Sequence, residues 1–154
     1  MEPLSSQLFE AVELQLQEVL PLRALVLRDG KLLPEACVNE GDEAADTFHA
    51  GCKDATGLVL AIATCMQEDY PGYEGIGYRL RGMAVHPDKQ RQGLGDQALR
   101  KVLFILKKRN TDYIWCNARK VAYDFYLQAG FDFISDEFDI PGIGPHKVMI
   151  LSLK

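Results

Sequence analysis

Apolar residues in this chain fall into short blocks whose period switches between strand-like alternation and helical spacing, and the switches mark out its elements. Leu8 to Leu14 alternates as a strand. Leu16 to Arg28 sets Leu16, Val19, Leu20, Leu22, Leu25 and Val26 on one broad face, as in an amphipathic helix. Pro21 lies inside it and predicts either a kink or a start near Pro21 itself. Asp29-Gly30 stops it. Lys31 to Asp46 reads as a loop with one helical turn, and its acidic run, Glu40 to Asp46, as solvated surface. Thr47 to Lys53 is a short strand, Asp54 to Gly57 a hairpin turn, and Leu58 to Met66 a nearly continuous apolar run, the mark of a central strand.

After a loop from Gln67 to Gly77, Leu80 to Val85 forms a strand that is apolar except for Arg81. A helix follows with Leu94, Ala98, Leu99, Val102, Leu103 and Leu106 on its apolar face. Asp112 to Cys116 is another buried strand. Asn117 then caps a helix over Ala118 to Ala129, which Gly130 ends. Phe131 to Ile140 is a strand, Pro141 to Pro145 a stiff turn, and His146 to Leu153 a last strand. The order β-α-β-β-β-α-β-α-β-β predicts an α/β fold, a mixed central sheet of about seven strands with flanking helices. A helix joins the fourth and fifth strands, which are therefore expected to be parallel neighbours.

Length and composition narrow this only a little. The 154 residues suit one domain, 1–154. Hydrophobic residues at 47% and charged residues at 25% exclude bulk disorder. No apolar run approaches the roughly 20 residues of a membrane helix, and the acidic start lacks a secretory signal's basic region, so a cytoplasmic protein is expected. Cys37, Cys52, Cys65 and Cys116 are scattered with no C-x-x-C, which predicts reduced, buried thiols and no metal site.

Charge changes the picture more. Arg79 to Lys120 holds eleven basic and three acidic residues, a balance of +8; the remainder holds six basic and nineteen acidic, or −13. A small polyanion fits that distribution better than a nucleic acid, whose backbone the acidic remainder would repel. Part of the cluster, Lys107-Lys108-Arg109, sits at a helix C-terminus, where cations are favoured anyway. Lys89 and Arg91 stand instead in a glycine loop, Lys89 to Gly95, between strand and helix. Strand, glycine loop and helix start together form a phosphate cradle: glycines let the backbone approach the ligand, and free N–H groups of the first turn favour an anion.

Gly93-Leu94-Gly95-Asp96-Gln97-Ala98 formally matches a dinucleotide fingerprint. The seven residues from His86 to Gln92 separate it from the strand, however, and the next strand ends Trp115-Cys116-Asn117 without the ribose-binding acid. A nucleoside triphosphate loop fails for want of Gly-Lys-Ser/Thr. Taken whole, Gln90-x-x-Gly93-x-Gly95 after Val85-His86-Pro87 resembles the Q/R-x-x-G-x-G/A signature of the GNAT superfamily of N-acetyltransferases, which follows a strand ending V-x-P. Ala122-x-x-Phe125-Tyr126-x-x-x-Gly130-Phe131 is similar to a second block of that family, and Phe138 to His146 resembles the ending of a bacterial subgroup.

The resemblance implies the acyl-CoA N-acyltransferase fold, acetyl-CoA as cosubstrate and a primary amine, in a small molecule or a peptide, as acceptor. It implies that Met83, Ala84 and Val85 pair with the pantetheine arm. It further implies that Gln90, Arg91, Gln92, Gly93, Leu94, Gly95 and Asp96 receive the pyrophosphate, largely through N–H groups. The position where the family often carries a cofactor-binding Asn is Arg119 here; Asn117, two residues earlier, is either that contact or only the helix cap. Members of the family often pair, so a homodimer is compatible with it, although no interface signature stands out.

Transfer to an amine needs a neutral amine, a stabilised oxyanion and a proton for the departing thiolate. A backbone N–H near Met83 to Val85 is the oxyanion donor the resemblance suggests. Tyr126, a phenol of reference pKa about 10, is the candidate acid; the alternative is a core aromatic. His146 and Glu74 are the candidate bases, against a backbone-bonded strand residue and a solvated loop residue; a water relay needs neither. Arg79 and Arg81 alternate onto one face, either for an anionic group of the acceptor or for structural ion pairs. An acyl-CoA-binding regulator without turnover is the competing function.

Overall fold

The computed structural model describes residues 9–154. Eight strands form one mixed sheet: β1 (Glu10–Leu14), β2 (Phe48–Lys53), β3 (Val59–Gln67), β4 (Gly77–Val85), β5 (Tyr113–Arg119), β6 (Asp132–Phe133), β7 (Phe138–Ile140) and β8 (Gly144–Ser152). Their order across the sheet is β1-β2-β3-β4-β5-β8-β6, with β7 also against β8. All pairs are antiparallel except β4 and β5, the predicted parallel neighbours. Leu8, placed at the start of the first strand from its pattern, lies outside the described residues. Among the described residues no helix is long and apolar enough to cross a membrane.

The count of eight arises from one predicted strand. Phe131 to Ile140 runs along β8 in two pieces, Phe133 opposite Met149 and Phe138 opposite His146. Four residues, 134–137, thus face only Lys147 and Val148. The Ser135 hydroxyl accepts from the Val148 N–H at 2.8 Å and satisfies the group the interruption would have orphaned.

Three α-helices flank the sheet: α1 (Leu16–Leu22), α2 (Leu94–Lys108) and α3 (Tyr123–Gln128). The buried stripe of α2, with Leu99, Val102 and Leu106, packs against Phe48, Ala63 and Leu80 on one face. Removing each such side chain from water contributes about 1.5–3 kcal/mol. On the other face Val19 and Leu22 of α1 meet Leu14, Ile62 and Ala84. The first helix starts at Leu16, ahead of Pro21, where the Glu18 carboxylate accepts from the Gln15 N–H at 2.7 Å. Just after Pro21, which lacks an N–H to donate, the ladder widens into a π turn over Arg23–Leu27.

Two expectations are corrected. The acidic run is not all solvated surface: Asp42 is buried, 2.7 Å from the equally buried Arg23. Asn117 is not a helix cap. The strand continues through it to Arg119, with Asn117 opposite Val148, and a 3-10 turn over Lys120–Ala122 precedes α3. Pairing to β8 outweighed the capping preference of an isolated Asn, a choice that nearby residues do not reveal. All four cysteines are buried and free, as expected.

Candidate active site

The parallel strands stay together only briefly. Gly77, Tyr78 and Arg79 pair with Tyr113, Ile114 and Trp115, and there the β4–β5 ladder ends. The cause lies in β4. Thr64 opposes Arg81 and Ile62 opposes Ala84, so Gly82 and Met83 together face Ala63. This is a β-bulge, which bends its strand and re-aims it. Gly82 carries it at φ +61°, a conformation glycine adopts without strain. Beyond the bulge β4 follows β3 while β5 follows β8. The two separate around a cavity of about 200 Å³, with Arg81, Gly82 and Met83 on one wall and Cys116, Asn117 and Arg119 on the other. Leu27 from the π turn and Phe125 and Tyr126 from α3 complete the lining.

Met83 to Val85 therefore have a backbone edge toward β5 that no strand pairs. An extended ligand arm can add to such an edge as a further strand. That edge leads into the glycine loop. After a 3-10 turn over Pro87–Lys89, Arg91 and Gly93 are left-handed, at φ +64° and +80°, and α2 begins. The first helical rung is Gln97 N–H to Gly93 C=O at 3.0 Å, so the N–H groups of Leu94, Gly95 and Asp96 precede the ladder. Gln90, Arg91 and Gln92 are exposed around them. The Leu94 side chain is buried against Leu60 and Ala98, which anchors the loop and leaves its N–H as the group it offers a ligand. The Asp96 carboxylate is engaged by Arg100 at 2.8 Å, so Asp96 too offers its N–H. A Cβ at Gly95 would sit 3.5 Å from Val85 and Phe125, ordinary contact. The bare Gly95 is thus not demanded by the protein's own packing.

Tyr126 is buried between Phe125 and Phe131, with ring centroids at 5.1 and 5.2 Å. Its hydroxyl has no hydrogen-bond partner among the described residues, although the ring lines the cavity. Burial, with Cys116 alongside, holds the phenol well above its ordinary range, so it stays protonated. Burial also pushes the Cys116 thiol up to about 12, which keeps it from serving as a nucleophile at neutral pH.

Neither candidate base lines the cavity. His146 is buried one strand away, opposite Arg119 and stacked on Phe138 at 6.0 Å. Its Nδ1–H donates to the Gly144 carbonyl at 2.7 Å, which leaves Nε2 as the acceptor nitrogen. Glu74 is exposed in the loop before β4, at the opposite end of that strand from the glycine loop, and does not line the cavity. A larger groove of about 410 Å³, between α1 and the β2–β3 turn, contains none of the predicted site residues.

Two parts of the site escaped the sequence reading. One is the bulge, for which a glycine inside an apolar strand was the available signal. The other is a buried network beside it. The Arg23 guanidinium donates to Asp42 Oδ2 at 2.7 Å, the Cys37 carbonyl at 2.8 Å and Thr64 Oγ1 at 2.9 Å. The Thr64 hydroxyl in turn meets His49 Nδ1 at 2.8 Å. Arg23 and Thr64 flank the bulge, 3.8 Å from where a Gly82 Cβ would lie. Nothing local to either residue announces this network.

A split parallel pair beside a helix-start anion cradle invites comparison with known proteins. The family model described as "Acetyltransferase (GNAT) family" matches residues 18–131. The chain belongs to the GNAT family of acetyltransferases. It is 30% identical over 148 residues to the protein named "Uncharacterized N-acetyltransferase YitI" of Bacillus subtilis (strain 168), covering 96% of this chain and 98% of that one. A GNAT-family acetyltransferase from Staphylococcus aureus Mu50 superposes with a TM-score of 0.72 at 16% identity, over 95% of this chain and 99% of the other. An aminoglycoside 6'-N-acetyltransferase complexed with coenzyme A gives 0.74 at 11%, over 94% and 97%. At such identities these two share the fold. The GNAT assignment makes the chain an acetyl-CoA-dependent acyltransferase, and the expected mixed sheet is the fold of that family.

Proposed function

We propose that the enzyme moves the acetyl group of acetyl-CoA to a primary amine of a small-molecule or peptide acceptor by direct attack. The observation that carries this reading is the continuous track from the N–H groups of Leu94 to Asp96, along the unpaired Met83–Val85 edge, into the cavity at Tyr126. Its residues fit the donor: free N–H groups and Arg91 for phosphates, a strand edge for the pantetheine arm, and no carboxylate in the lining to repel either.

In this reading the amine nitrogen attacks the thioester carbonyl, and a backbone N–H near Met83 to Val85 stabilises the oxyanion. The carbon–sulfur bond then breaks, Tyr126 gives its proton to the thiolate, and the surplus proton on the new amide nitrogen returns to the tyrosinate. A phenol held above its usual range is a weak acid, but burial in the same cavity raises the thiolate's affinity for the proton too. Asn117, which lines the β5 wall, serves the donor arm in this reading. The ammonium loses its proton to water or to His146 Nε2. Glu74 lies too far along the strand to take that proton directly.

The lack of a carboxylate base in the lining favours the competing reading, an acyl-CoA binder without turnover. Thiol release from acetyl-CoA over an amine panel decides between them. Release with one or more amines supports transfer. A thermal shift with acetyl-CoA and no release with any amine overturns it in favour of the binder.

A further inference from the structure

The cavity is positively charged, and nothing in its lining answers that charge. Arg81 lines one wall and Arg119, at the end of β5, the other, with Asn117 also on the β5 side. Among the described residues neither arginine has an ion pair or side-chain hydrogen bond, and no Asp or Glu lines the cavity. The two carboxylates whose charge acts on Arg81 are already engaged. Asp42 is paired with Arg23 at 2.7 Å, and Glu68 sits 3.6 Å from Arg79. Arg79, two residues before Arg81 on the same face, lies over the Trp115 ring at 5.1 Å.

An exposed arginine needs no partner, because water solvates it, and Arg119 alone would mean little. Arg81 is different. It is half-buried, and burial, then the Arg79 charge, disfavour its charged form more than Asp42 and Glu68 favour it. A half-buried guanidinium facing a cavity is stabilised by an anion that can accept two parallel N–H bonds. The donor's diphosphate is not that anion. Its cradle lies at the start of α2, whereas Arg81 is four residues, roughly 13 Å, back along β4 from Val85.

We infer that the acceptor is a small primary amine that also carries an anionic group, a carboxylate or a phosphate, which Arg81 and Arg119 hold across the cavity. This rests on the acetyl-transfer reading of the same cavity. A polycationic acceptor meets like charge there, so the fold shared with an aminoglycoside acetyltransferase does not extend to its substrate.

Four aminoethyl compounds differing in their second group test this: β-alanine, phosphoethanolamine, ethanolamine and ethylenediamine. For the wild-type enzyme, kcat/KM for at least one of the two anionic amines should exceed that for ethanolamine by about tenfold to a hundredfold, the worth of one or two hydrogen bonds to a charged group. Ethylenediamine should be last, and the better of β-alanine and phosphoethanolamine identifies the anion. In Arg81→Gln the anionic-to-neutral ratio should collapse through the acceptor KM while the KM for acetyl-CoA holds. Arg81→Glu should move ethylenediamine to first place. An unchanged ratio in Arg81→Gln, a wild-type preference for ethylenediamine, or a loss confined to the acetyl-CoA KM overturns the inference. If no amine is acetylated, the transfer reading fails by itself, and calorimetric titration of the CoA-loaded protein still reads the site. Binding of β-alanine or phosphoethanolamine that Arg81→Gln abolishes supports it. Absence of such binding, or equal binding of ethylenediamine, overturns it.

Discussion

Replacing Gly82 tests the origin of the split directly. At φ +61° an L-residue is left-handed, at a cost of about 1–2 kcal/mol. Sterics add nothing, since a Cβ there would meet no atom closer than 3.8 Å. The effect of Gly82→Ala is therefore conformational, and at about 2–4 °C per kcal/mol for a chain of this length it lowers Tm by roughly 2–8 °C. Asn tolerates the left-handed region better than Ala, and Val worse, so stability should fall in the order Gly, Asn, Ala, Val. The chain can relieve the strain by flattening the bulge, which would let β4 pair with β5 beyond Arg79 and narrow the cavity. Turnover should thus fall in the same order, by about tenfold or more at Val. Calorimetric Tm, CoA affinity by titration and kcat on the best acceptor read the three consequences. If Ala and Val variants are as stable and as active as the wild type, the positive φ is not what holds the bulge, and the bulge is not what opens the cavity.

Gly95 should separate ligand from fold. Gly95→Ala should gain about 0.5–1 kcal/mol of helix stability and keep CoA affinity within a few-fold, since a Cβ makes only ordinary contacts there. Gly95→Leu should stay folded but bind CoA at least about tenfold more weakly by titration, because a side chain in the first turn leans back over the N-terminus. Tyr126→Phe should cut kcat about a hundredfold while leaving Tm unchanged, the hydroxyl having no partner among the described residues; an unaltered kcat across pH would remove Tyr126 as the acid. His49 predicts a pH effect. Burial lowers its pKa from the usual 6.5, so the unfolded chain takes up the proton first and stability falls as pH drops below 6.5. Glu18, Asp54 and Asp112, each also lowered, act only in the carboxylate range. The Tm of His49→Gln should therefore depend less on pH between about 6.5 and 5 than that of the wild type.

The strand end, loop and helix start of the proposed donor half were legible because they are built from consecutive residues. Val85 to Gly95 form strand end, loop and helix start within one short segment, and their backbone geometry follows from glycine spacing and helix-terminal N–H groups. The interruption in Phe131 to Ile140 and the strand ending of Asn117 were not legible. Each is decided by pairing to β8, and a local pattern carries no information about which partner strand wins. Arg23 and Asp42 were hidden for the same reason. Residues 19 apart, one in an apparent helix face and one in an acidic loop, become a buried pair only once the π turn and β3 bring them together.

The acceptor half has a further difficulty, because its character depends on what is missing. Arg81 and Arg119 face one cavity only because the ladder stops at Arg79 and Trp115, and no carboxylate enters the gap. An ammonium brought there meets two cations and no carboxylate among the described residues, a setting that lowers its pKa and favours the neutral form that attacks. The same field repels the amine before it binds. An anionic group elsewhere on the acceptor resolves the conflict: it supplies the attraction at Arg81 and Arg119 that the amine cannot, and holds the nitrogen where positive charge drives off its proton. The missing base and the unpaired arginines thus have one physical explanation, and the Arg81 variants test it.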